Sequence, residues 1–230
     1  MCHEKHDTHT HEPVHQGSVQ LKAVFSEILC HLPYAIFAVA FSMLILSILS
    51  FLSYNHNQSA LCYRLFHIFH FMHLLFAATG TMLTFRRFST HTGGAILTSF
   101  FVPVIFCTIS DAFLPYLGGQ LIGLKMQFHW CFLSHLDTIL PFLFVGMLNG
   151  WITSGHPSNI RLFYSIGFHF LHILISSMAA ILYLVSFGFV EWWAYMSFVF
   201  LFLIFAVLVP CTLSDIVIPI IFAHFRKKTN

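Results

Sequence analysis

Two short stretches, FHFMH at positions 69–73 and FHFLH at 168–172, each set a pair of histidines three residues apart inside an apolar run. On a helix, residues at that spacing lie on adjoining faces, so His70 and His73, or His169 and His172, can reach one ion together. A second stretch also occurs twice, as CTISDAFLP from Cys107 and as CTLSDIVIP from Cys211. Cys107 and Asp111 share a helix face, as do Cys211 and Asp215. Pro115 and Pro219 follow four residues after each aspartate and cannot donate the usual bond to its carbonyl. Each motif therefore offers a thiol, a carboxylate and a freed carbonyl within one turn. Imidazole, carboxylate and thiolate together suit borderline divalent ions such as Zn²⁺, Fe²⁺, Co²⁺ or Ni²⁺ better than Mg²⁺ or Ca²⁺.

A single buried histidine more often just bonds a neighbouring carbonyl, and a buried cysteine often serves as a small apolar packer. Packing alone does not require paired histidines and an aspartate to recur together. The recurrence is long-range. His70 and His169 lie 99 positions apart (70 to 169), and Cys107 and Cys211 lie 104 apart (107 to 211). Arg64-Leu65-Phe66 and Arg161-Leu162-Phe163 precede the two histidine pairs, and His31-Leu32 matches His135-Leu136 at the starts of the first and fourth segments.

The elements that must position these groups are membrane helices. Hydrophobic residues make up 58% of the chain and charged residues 8%, with a mean hydropathy of +0.82, which excludes an ordinary soluble domain. Segments of about 20 apolar residues are long enough to span the hydrocarbon. Six are expected, near 30–53, 65–85, 95–117, 129–152, 162–189 and 193–222. The expected fold is an all-α integral membrane protein whose six transmembrane helices form two inverted three-helix repeats, since an odd number of spans per repeat reverses the second copy. The layout resembles that of three-plus-three secondary transporters. The divisions are a His-rich tail (1–24), repeat one (25–124), repeat two (125–225) and a basic C-terminus (226–230).

Lys5, Lys22, Arg86, Arg87, Arg161, Arg226, Lys227 and Lys228 fall on one side of these spans, against Arg64 and Lys125 on the other. Basic residues are retained on the cytoplasmic side, so both termini are expected there, in a plasma or bacterial inner membrane. The first segment is too long and too far from the start to be a cleaved signal. Six cysteines without CxxC spacing indicate no disulfide framework, and no basic stripe of the nucleic-acid kind exists.

Inverted repeats put His70, His73, Asp111 and His135 toward the outer leaflet and His169, His172, Asp215 and His31 toward the inner one. Cys107 and Cys211 complete the candidate ligands, and His67, His129 and Asp137 extend the outer group. The tail adds His3, His6, His9, His11 and His15 beside Cys2 and three acidic residues, a composition that binds metals loosely. The expected function is transport of a divalent transition metal between two clusters, with the bilayer and the ion as partners and proton exchange natural on binding. The expected role is carriage and not catalysis. A di-haem electron carrier of the b-cytochrome kind would also use paired histidines but needs neither aspartate. A thiol relay through Cys107 and Cys211 lacks a resolving cysteine near either.

Overall fold

The computed structural model describes residues 21–52, 58–156, 158–189 and 191–228. Among the described residues there are six long helices: α1 (Leu21–Leu52), α2 (Gln58–Phe88), α3 (Thr92–Leu121), α4 (Leu136–Ser154), α5 (Ser158–Ser186) and α6, which starts at Met196 and runs to Lys228. Each contains a stretch long and apolar enough to cross a membrane. The fold is all-α for a physical reason: in hydrocarbon a helix satisfies its own backbone groups, which no open strand can do. Even α4, with 19 residues, reaches about 28 Å at 1.5 Å per residue, close to the hydrocarbon thickness.

The fourth span starts later than its hydropathy suggests. Residues 124–130 are irregular and Cys131–Ser134 form a single turn, so α4 begins at Leu136 and not near 129. Gly123, at φ +79°, turns the chain out of α3. The following segment is then tied to α5: the Tyr183 hydroxyl donates to the Gln127 carbonyl (3.3 Å) and accepts from the His129 amide (3.2 Å). An apolar sequence is thereby held as a loop over the bundle end.

Both prolines that follow the aspartates act as expected on the backbone, though without breaking the helix. In α3, residues Ile109–Phe113 form a π turn, closed by the Leu114 amide donating to the Ile109 carbonyl five residues back. In α6, Leu213–Val217 do the same, closed by Ile218 on Leu213. The missing proline N–H is absorbed by a widened turn, a feature frequent at functional sites. Asp111 and Asp215 are each the third residue of their turn.

The two most buried helices are α2 and α5, which carry the histidine pairs. They pack antiparallel, with Phe66 against Tyr183 (5.3 Å between ring centroids) and His73 against His172 (4.4 Å). On α5 the small residues Ser176, Ser177, Ala179 and Ala180 are all buried, which lets neighbouring helices approach it closely. On the far side of α2, a Cβ on Gly150 would lie 2.7 Å from the Thr79 carbonyl, so α4 also needs glycine to reach it. Thr79 Oγ1 donates across that contact to the Gly146 carbonyl (3.0 Å). Apolar clusters flank this core on both sides, one drawn mainly from α1, α5 and α6 and one from α2, α3 and α4. Many phenylalanines, among them Phe37, Phe51, Phe101, Phe144 and Phe205, are exposed on the outside of the bundle, where a bilayer would meet them.

Candidate metal centre

In α2, His70 and His73 turn toward the π turn of α3. Both donate from Nδ1 to the same oxygen, Asp111 Oδ2, at 2.8 and 2.7 Å. The other oxygen, Oδ1, accepts from Ser110 (2.8 Å) and from Ser176 of α5 (2.9 Å). All three members of the histidine–aspartate cluster are fully buried. The arrangement recurs between α5 and α6: His169 and His172 donate from Nδ1 to Asp215 Oδ2 at 3.1 and 2.5 Å. An ionised carboxylate is costly in an apolar interior, and the two imidazoles of each cluster supply the compensation.

The two clusters, expected one per leaflet with His73 and His172 nearest the midplane, meet at those two residues. His73 and His172 touch at 4.4 Å between rings, because both project into the α2–α5 contact and one residue from each pair reaches its middle. Cys211, one turn before Asp215, joins them there; its thiol donates to His73 Nε2 at 3.7 Å. His73, His172 and Cys211 offer three ligand atoms lying within 4.8 Å of one another, and so do His169, His172 and Asp215.

No family model, curated protein or solved structure matches this chain. Its chemistry is therefore read from the site itself.

His135 does not join Asp111. It lies at the start of α4 with His67 (4.6 Å between rings) and His129, forming a third group of ligand atoms within 4.8 Å at the bundle end. His67 donates from Nδ1 to the Tyr63 carbonyl (2.8 Å), which leaves its Nε2 to accept from His129 Nε2 (3.3 Å). Burial, and then the neighbouring His135 and His70, hold the His129 imidazole below the ordinary histidine range, so it is neutral near pH 7 and its lone pair is available to an ion. His31 of α1 packs edge-on against His169 at 4.3 Å, beside the Asp215 cluster where its repeat position placed it. From His135 to His31 the imidazoles thus form an almost continuous file through the bundle.

Cys107, the repeat mate of Cys211, belongs to none of the three groups; it is buried in the apolar cluster with Phe71, Leu74 and Ile139. Asp137 is exposed. Cys62, Cys107, Cys131 and Cys211 are free, whereas Cys30 is disulfide-bonded, a pairing its spacing did not suggest. The tail histidines His3, His6, His9, His11 and His15 lie outside the described residues. Sequence reasoning passed over Ser110 and Ser176, which bond the second oxygen of Asp111. Ser110 was visible in the repeated SD pair, but nothing local marks Ser176.

The two clusters differ in one respect. Every buried side-chain oxygen around Asp111 is bonded, whereas Asp215 Oδ1, Ser214 Oγ, His169 Nε2 and His172 Nε2 have no protein partner. Position 77 holds alanine where the other half has Ser176 at the corresponding place. The lone pairs directed into the second cluster fit a cation.

Proposed function

We propose that this protein carries a divalent transition-metal ion, of the zinc, iron, cobalt or nickel class, across a membrane. It acts as a carrier and not as an enzyme. The observation that bears this reading is the meeting of two buried carboxylate–imidazole clusters at His73 and His172, in the middle of a bundle built to span a bilayer. Buried ionisable residues in such a setting line ion or proton pathways. Matching motifs on antiparallel helices support two inverted three-helix repeats, an architecture that gives alternating access to a shared site. A metal arriving at these histidines displaces protons, so exchange against protons follows from the donor chemistry. The paired imidazoles of each cluster converge on one carboxylate oxygen and do not face one another across a macrocycle, which favours an ion over haem.

Flux into liposomes reconstituted with the full chain tests the reading. A trapped metal-sensing dye should respond to external Zn²⁺, Fe²⁺, Co²⁺ or Ni²⁺ faster than in protein-free liposomes, and equal rates for all four would end it. The distribution of basic residues puts both termini in the cytoplasm. A reporter fused at residue 230 should be active only there; activity on the opposite face would reverse the assignment of ends.

A further inference from the structure

We infer that the ion is held at the middle of the bundle by His73 Nε2, His172 Nε2 and Cys211 Sγ, with Asp111 and Asp215 orienting the histidines from behind and not ligating, and that the site prefers zinc within its class. This rests on the metal-carrier reading and specifies its site. The aspartates are already engaged. Each accepts two Nδ1–H bonds on one oxygen, which fixes the imidazole tautomers and leaves Nε2 of each ring to face a ligand. A carboxylate bonded behind a histidine is the usual support of a metal-binding imidazole. Of the Nε2 atoms so presented, His172 Nε2 is fully buried without a protein partner, and His73 Nε2 meets only the Cys211 thiol.

The site is shared between the halves. His73 comes from the first, His172 and Cys211 from the second, and one aspartate stands behind each histidine. It breaks the symmetry of the repeat, because Cys107 is turned into the apolar cluster and only one thiol arrives. Two imidazoles and a thiolate suit zinc better than the other ions of that class. Binding releases the thiol proton, and the sulfur–metal bond takes its place; no redox step is involved.

Co²⁺, a spectroscopic stand-in for zinc, tests this on the full chain with Cys62, Cys107 and Cys131 replaced by serine, so that Cys211 is the one free thiol left among the described residues. A near-ultraviolet thiolate-to-cobalt charge-transfer band should appear, should be displaced by Zn²⁺, and should vanish in Cys211→Ser. Asp111→Asn should keep the band while weakening cobalt binding about 10–100-fold, the usual loss when a carboxylate behind a metal-binding histidine is removed. His172→Gln is the second variant: it should shift the band and weaken binding even if the cysteine variant fails to fold. Cobalt bound in the bundle without a charge-transfer band, or a band that survives Cys211→Ser, overturns the inference and leaves metal carriage by the clusters standing. Cobalt flux absent together with the band removes both.

Discussion

Asp111→Asn and Asp215→Asn are each expected to reduce metal flux in reconstituted liposomes by at least about 10–100-fold, the loss expected when a metal-binding histidine loses its carboxylate. Each aspartate accepts from two imidazoles through a single oxygen. Asparagine keeps the volume and one accepting oxygen, so the helices should still pack. It removes the charge that holds both imidazoles in the tautomer with Nε2 free. The two defects should differ in sidedness: Asp111→Asn should impair exchange with metal on the His129 side, and Asp215→Asn exchange on the side where Arg86 lies. His73→Ala and His172→Ala should fail from both sides, since these rings meet in the middle. Normal flux in both aspartate variants would make the clusters structural and remove the carrier reading.

The second large effect is expected at Gly80. A Cβ built there would stand 2.6 Å from Asp215 Oδ2 and 2.9 Å from its Cγ. The carboxylate cannot swing away cheaply, because His169 and His172 hold that same oxygen. Gly80→Ala should therefore push α2 from α6 or pull Asp215 off its histidines, costing about 1–3 kcal/mol as other overpacked cores do. Metal binding should fall with it. Gly167→Ala is the control: nothing lies within 4 Å of its Cβ, and removing a helical glycine should be neutral or stabilise by up to about 1 kcal/mol. Thermal unfolding in detergent compares the two, and a Gly80→Ala protein that melts and binds metal like the parent would show that α2 and α6 do not meet as described.

The six spans were legible because hydrocarbon demands long apolar helices whatever their partners, and the π turns were foreshadowed by prolines placed four residues after each aspartate. The pairing of His70 and His73 with Asp111, and of His169 and His172 with Asp215, was legible from recurrence. What the chain could not disclose was contact across helices. His73 and His172 differ by 99 positions, and only the antiparallel α2–α5 packing shows that they touch. The choice of Cys211 over Cys107 was hidden for the same reason, since both occupy identical places in their motifs and only their surroundings separate them. The start of α4 was misplaced because hydropathy alone cannot see that Tyr183 pins residues 127 and 129 as a loop.

The unequal bonding of the two aspartates makes their clusters unequal hosts for a cation or proton. Around Asp111 the hydroxyls of Ser110 and Ser176 already satisfy the second carboxylate oxygen, whereas around Asp215 several buried polar atoms have no protein partner. A buried polar atom without a partner costs about 1–3 kcal/mol, so an ion or proton settling there relaxes several such costs at once. Two copies of one motif thus differ in what they leave unsatisfied, and the difference traces to Ser176, which bonds Asp111, where the matching position 77 holds alanine.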